Sequence, residues 1–335
     1  MIEQEQIEQL ERDYPEFVVS LDRFESLSSK LIANGGFSSI FLVTDSTTNQ
    51  KVIQKETGQN NTAVFYHEVK SLILLKDVPF VIKMIGFSIH PTFNIFLEYC
   101  PESDVESHII PKVEEEEEDL EYSDDEEDFP PEEKKPFIKL TQTQKNTIAY
   151  FTAVGMSYVS KSGIIHNDFK TSNIFLTHDM NIPKIGDFGS SRFPPDENSL
   201  NLNGTILWMA PECLNGQAYP ESDVYGFGLL IYEMLFEKEP WAEISNKIAL
   251  ITRNVEQNIR PNYHKKYDDS NLQEFDSTVY QLVQLMKRCW AQDHKERPTF
   301  TEIANLFKEK KVAFPDANLE EFENKVKEYE SVLLS

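Results

Sequence analysis

Twelve of the fifteen residues from Glu114 to Asp128 are acidic, and a stretch so charged cannot enter a hydrophobic core. Self-repulsion and a shortage of apolar side chains predict a disordered loop over roughly 112–136, which takes in Pro130 and Pro131. The run parts the chain into two stretches with different patterns. Before it, β-type runs dominate from Leu31 to Tyr99: Ser39 to Val43, Val52-Ile53, Phe80 to Ser88 and Asn94 to Tyr99. One helical stretch, Thr62 to Leu75, interrupts them, with Val69, Leu72, Ile73 and Leu75 on its apolar face. After the run the pattern turns helical: Thr141 to Ser160, Ser222 to Glu237, Ile244 to Val255, Ser277 to Trp290 and Phe300 to Lys308. A loop-rich stretch over 161–221 separates the first two of these, with Gly163, Gly186, Gly189, Gly204 and Gly216 in it. A small sheet-based lobe followed by a larger helical lobe is α+β in class. Ligands usually sit in the cleft between two such lobes.

Apolar residues make up 40% of the 335, so a sizeable core can form. The 57 acidic residues outnumber 32 basic ones, for a net charge of −25. That balance argues against nucleic acid, whose phosphates need a basic footprint, and against anionic membrane surfaces. Cys100, Cys213 and Cys289 are far apart and form no CxxC pair, which fits a reducing compartment. The first residues, Met1 to Glu5, lack the basic start and apolar stretch of a secretory signal. The longest apolar run, Val224 to Phe236, is 13 residues with Glu233 inside it. It is too short to span a bilayer and reads as a buried helix. The expectation is a soluble, cytoplasmic protein. Residues 1–23 read as a short polar helix with Ile2, Ile7 and Leu10, stopped near Pro15. Leu319, Phe322, Val326, Tyr329 and Leu333 recur at helical spacing within 313–335. They predict an amphipathic helix packed on the domain, with a coiled-coil partner as the alternative.

Three segments carry chemistry, in the order that phosphoryl transfer requires. Ala33-Asn34-Gly35-Gly36-Phe37-Ser38-Ser39-Ile40 is a glycine-containing turn between two strands, and alone it reads as an ordinary hairpin. His166-Asn167-Asp168-Phe169-Lys170-Thr171-Ser172-Asn173 places a carboxylate, an ammonium and an amide within eight residues. That spacing suits a base, a phosphate contact and a metal ligand on one loop. Ile185-Gly186-Asp187-Phe188-Gly189 sets a carboxylate between glycines, where backbone can approach a metal-bound phosphate.

Together these residues resemble the eukaryotic protein kinase family, over about residues 24–312. The resemblance implies a bilobal fold, with a small β-sheet lobe at 24–100 carrying one main helix and an α-helical lobe at 101–312. It also implies ATP and Mg²⁺. Lys55, in Val52-Ile53-Gln54-Lys55, would contact the α- and β-phosphates, and Glu68 would pair with it. Ala33, Asn34, Gly35, Gly36, Phe37, Ser38 and Ile40 would cover the nucleotide. Ile53, Leu97 as gatekeeper, Glu98, Cys100 and Phe175 would line the adenine site. Asp168 would be the catalytic base, Lys170 a γ-phosphate contact, and Asn173 and Asp187 the metal ligands. Leu72, Met84, His166 and Phe188 would form a buried spine, Asp223 would brace the catalytic loop, and Arg297 would pair with Glu212.

Lys170, two residues after the catalytic aspartate, is similar to serine/threonine kinases. Gly204 to Met209, Cys289-Trp290 and Arg297 to Phe300 look tyrosine-kinase-like. The mixture resembles the tyrosine-kinase-like group of serine/threonine kinases, the Raf type among them. Ala33 and Ser38 stand where the family has glycines, with Ser38 and Ser39 as alternative hydroxyl contacts to phosphate. Ile53 replaces a small alanine, and Asn167 replaces an arginine that would pair with an activation-segment phosphate. The implied function is transfer of the γ-phosphate of Mg·ATP to a protein Ser or Thr hydroxyl. The alternative is a pseudokinase scaffold without turnover. The acidic run would attract a basic partner.

Overall fold

The structure, a computed structural model, describes residues 4–36, 38–111, 137–194, 205–244, 252, 255–263 and 276–333. The acidic run, Phe37 and most of the helix expected at Ile244 to Val255 lie outside these residues.

The β-type runs form one five-stranded antiparallel sheet: β1 (Phe24–Asn34), β2 (Ser38–Asp45), β3 (Gln50–Thr57), β4 (Met84–Ser88) and β5 (Phe93–Glu98). Its order is β1-β2-β3-β5-β4. The sequence pattern missed most of β1, because Phe24-Glu25-Ser26-Leu27-Ser28-Ser29-Lys30 is largely polar. An edge strand tolerates that composition, since only one side of it is paired. Asp45 fixes the β2–β3 turn: it accepts hydrogen bonds from Thr47 and Thr48, and Arg23 pairs with it at 2.9 and 2.7 Å. The helices of this lobe are α1 (Gln4–Asp13) and α2 (Thr62–Leu74). Phe65, Val69 and Leu72 of α2 pack with Phe87, Phe93 and Ile95 of the sheet, and Phe65 stacks on Phe93 with centroids 4.7 Å apart. A smaller cluster, Phe24, Val43, Val52 and Phe96, lies apart from it.

The second lobe is helical: α3 (Gln142–Lys161), α4 (Pro211–Leu214), α5 (Pro220–Phe236), α6 (Ser277–Cys289), α7 (Phe300–Lys308) and α8 (Leu319–Leu333). Thr141 and Gln144 cap α3 reciprocally. α5 is apolar nearly all round and buried along most of its length, as a central helix must be. Gly226 lets it touch the catalytic loop, since a Cβ there would lie 2.6 Å from the Phe169 carbonyl oxygen. α8 lies against α3, where Phe322 meets Tyr150 edge-on and Tyr329 meets Phe151 edge-on. The buried Arg297 guanidinium holds Glu212 at 2.6 and 2.8 Å. Burial alone would raise the Glu212 carboxyl, yet Arg297 keeps it below its usual range.

Both flanks of the acidic run converge on His108, whose ring nitrogens lie 2.6 Å from the Ile138 carbonyl oxygen and 2.5 Å from that of Glu102. Among the described residues no helix is long and apolar enough to cross a membrane.

Candidate active site

The sheet delivers Lys55 from β3, where the register sets it between Ile40 and Ile95. Its ammonium is buried, and salvation from desolvation comes from two carboxylates. Nζ lies 2.9 Å from Oε1 and 2.8 Å from Oε2 of Glu68 on α2, and 2.7 Å from Oδ1 of Asp187. Burial pulls the lysine down, but Asp187 and Glu68 outweigh it and hold the ammonium above its ordinary range. Burial, with the repulsion of Asp187 added, pushes the Glu68 carboxyl up against the pull of Lys55. Lys55 holds the Asp187 carboxyl down at about 2, against the cost of partial desolvation.

Asp187 follows the hairpin of β6 (Ile174–Leu176) and β7 (Pro183–Ile185) and sits at φ 60°, in the left-handed region. Such a backbone state in a non-glycine residue is held by its surroundings. Gly186 just before it has no room for a side chain, because a Cβ would lie 2.8 Å from the Phe175 ring. The carbonyl of Gly186 faces His166 Nε2 at 2.9 Å. His166 and Asn167 donate their backbone N–H groups to the buried carboxylate of Asp223 on α5, at 2.7 and 2.9 Å. Burial pushes that carboxyl up to about 6, against the pull of His166 and of the two N–H donors.

The loop over residues 166–173 converges on Asp168. Its Oδ1 accepts from the Thr205 N–H at 2.7 Å, and its Oδ2 accepts from Asn173 Nδ2 at 3.1 Å. Lys170 Nζ lies 3.1 Å from Oδ2 and donates to the Thr205 hydroxyl. Both side-chain hydrogen bonds of Asn173 among the described residues run from Nδ2, to the backbone and side chain of Asp168, so Oδ1 is the end of that amide that could meet a cation. A small cavity lined by Asp168, Thr205, Trp208, Met209, Cys213 and Gly226 opens beside these groups.

Among the described residues no cluster of three His, Cys, Asp or Glu could hold a metal alone. Asp187, with 43% of its side chain exposed, and the Asn173 amide form an incomplete oxygen set. Such a set fits Mg²⁺, which characteristically takes one or two carboxylates, waters and substrate phosphates.

The segment expected to cover the nucleotide forms the β1–β2 turn and contains Ala33, Asn34, Gly35, Gly36 and Ser38, with Ile40 paired to Ala33. Gly35 N–H donates to the Ser38 carbonyl at 2.9 Å. The Ser39 hydroxyl donates to Asn34 Oδ1 at 3.0 Å, so its expected role as a phosphate contact competes with a bond inside the loop. Ile53 sits opposite Leu97, which is buried. Glu98 turns its side chain to Lys184 at 2.9 Å and to the Lys83 N–H at 2.7 Å. Burial, with Glu98 nearby, raises the Cys100 thiol to about 12. Leu72, Met84 and Phe188 share one buried cluster, and the His166 ring lies 4.7 Å from that of Phe188.

The sequence reading gave no role to Glu233. This buried carboxyl accepts from the Thr171 hydroxyl at 3.1 Å and from Trp208 Nε1 at 3.2 Å, joining the loop at 166–173 to the turn just before α4. Burial pushes it up to about 8. Its signal was a lone charge inside an apolar helix.

Comparison with known proteins agrees with this geometry. Residues 27–306 match the family model described as the protein kinase domain. The mouse ankyrin repeat and protein kinase domain-containing protein is 28% identical over 305 residues, which covers 86% of this chain and 36% of the relative. The Raf homolog serine/threonine-protein kinase of Caenorhabditis elegans is 35% identical over 161 residues, 45% of this chain and 19% of the relative. A serine/threonine-protein kinase of Dictyostelium discoideum is 34% identical over 174 residues, 51% of this chain and 18% of the relative. The chain thus spans well under half the length of these relatives.

Proposed function

The chain belongs to the protein kinase family, whose model matches residues 27–306, and we propose that it is an active serine/threonine kinase using Mg·ATP with its kinase domain running over 24–312. The observation that carries this reading is the buried Lys55 ammonium held at once by Glu68 and Asp187. A scaffold that binds no nucleotide has no need of that arrangement. The groups around Asp168 complete it.

Each residue then has a task. Lys55, kept in place by Glu68, neutralises phosphate oxygens of the nucleotide. Asp187 and Asn173 would hold Mg²⁺, which when bound neutralises charge on the phosphates. Asp168, with Oδ1 fixed by Thr205, orients the acceptor hydroxyl and takes its proton through Oδ2. Lys170 leaves Asp168 and Thr205 to meet the transferred phosphoryl oxygens. Ile53, Leu97, Glu98, Cys100 and Phe175 bound the adenine site. Lys170 and the names of the relatives support Ser/Thr rather than Tyr transfer. Three free thiols support a reducing, cytoplasmic setting.

The test is a phosphotransfer assay on a generic basic substrate, followed by phosphoamino-acid analysis. Asp168→Asn should lower kcat by on the order of 10²–10⁴ with Mg·ATP affinity nearly intact. Lys55→Met should lose activity through misplaced phosphates. Wild-type protein that binds Mg·ATP yet transfers no more phosphate than Asp168→Asn would establish the scaffold instead.

A further inference from the structure

The chain before the sheet is built into the small lobe. α1 buries Ile7 completely and Leu10 nearly so, while Gln4, Glu5, Gln6, Glu8 and Gln9 face solvent. Ile7 and Leu10 join the cluster that holds Phe65, Val69, Leu72 and Ile73 of α2, and α1 packs directly on α2. A second contact lies further along. Val19 N–H donates to the Phe87 carbonyl at 3.0 Å, and Val18 bridges Phe87 in parallel at the β4 edge. Gly86 makes the space: a Cβ there would lie 2.5 Å from Val19 Cγ1 and 2.8 Å from the Phe17 carbonyl oxygen. The strap over 4–19 therefore grips both α2 and the strand beside it.

α2 carries Glu68, and the activation segment grips it as well. The Ser71 and Ser191 hydroxyls are 2.8 Å apart, and Lys70 Nζ sits 4.5 Å from the centre of the Phe193 ring. Asn167 brings no positive charge to an activation-segment phosphate and donates instead to the Ser190 carbonyl at 3.3 Å. The paired state of Lys55 and Glu68 is thus reached here with contacts made by unmodified side chains.

We propose that α1 and the strap to Val19 are a built-in activator, in which Ile7 and Leu10 are positioning residues that hold α2 where Glu68 reaches Lys55. This rests on the kinase reading above. Undocking α1 lets α2 move, and the ion pair then forms in only a fraction of molecules.

The experiment uses the full chain carrying Ile7→Asp with Leu10→Asp, the milder Leu10→Ala, and Gln9→Ala on the exposed face as a control. The double variant should lose about tenfold or more in kcat/KM, since two buried aliphatic contacts are removed. A synthetic peptide of residues 1–19 should restore activity saturably. Hydrogen exchange should rise across residues 62–74 in both variants and stay unchanged across 142–161. Gln9→Ala should match wild type in every measurement. Wild-type kcat/KM together with wild-type exchange at 62–74 in the double variant overturns the proposal. So does a loss without peptide rescue, in which exchange rises along the whole chain and Leu10→Ala shows no rise confined to 62–74. The exchange measurement needs no turnover, so an inactive wild type would sink the kinase reading while the brace is still judged by exchange.

Discussion

Glu233 is a carboxyl that burial has moved from an ordinary 4.5 up to about 8. The folded chain keeps that proton while the unfolded chain releases it, so its contribution to stability is complete below 4.5 and falls away as pH rises toward 8. Asp223 acts in the same direction over the narrower window from 3.8 to about 6. Thermal melts should therefore show Glu233→Gln gaining on wild type as pH rises from 6 to 8, because the amide keeps an acceptor for Trp208 and carries no charge. Parallel curves for the two proteins would refute this account of Glu233. Asp187 runs the other way: Lys55 holds it at about 2, so its charge is secure at neutral pH. Residues of that kind were legible, because Lys55, Asp168, Asn173 and Asp187 occur in a fixed order with fixed neighbours. The Ser71–Ser191 contact was not, since it joins two ordinary serines 120 positions apart.

Elements were legible where one face is buried and the period is clear. The helix expected at Thr62 to Leu75 forms at Thr62–Leu74, and the stretch at Phe300 to Lys308 matches the structure. β1 was largely invisible because its polar residues carry no alternating pattern. The depth of α5 was legible as an apolar run, but its closeness to the catalytic loop was not, since Gly226 reads on paper only as a weak helix former. Space distinguishes glycines that look alike. A Cβ at Gly226 meets the Phe169 backbone, whereas one at Gly36 meets nothing within 4 Å. Gly226→Ala should destabilise by about 1–3 kcal/mol through overpacking, and should lower kcat by shifting the loop that holds Asp168. Gly36→Ala should change stability by no more than about 1 kcal/mol. Denaturant titration of both variants measures the contrast, and equal losses would contradict the packing argument.

At the scale of the whole molecule, two lobes place Lys55 and Glu68 on one side of the cleft and Asp168, Asn173 and Asp187 on the other. The acidic run lies outside the described residues, so its role is tested by removing it. Deleting residues 113–135 should leave the melting temperature nearly unchanged. It should weaken turnover of basic peptides more than neutral ones, most at low salt, where charge acts over a longer distance. Equal effects on both peptide classes would remove the steering role. The contacts of His108 with Glu102 and Ile138 carry a further consequence. They tie the chain before residue 112 to the chain after residue 136, and in a flexible loop closed at its ends doubling the span adds only about 0.6 kcal/mol. Variants that lengthen, shorten or recharge the span between residues 112 and 136 are therefore expected to keep the His108 anchor that joins its two flanks.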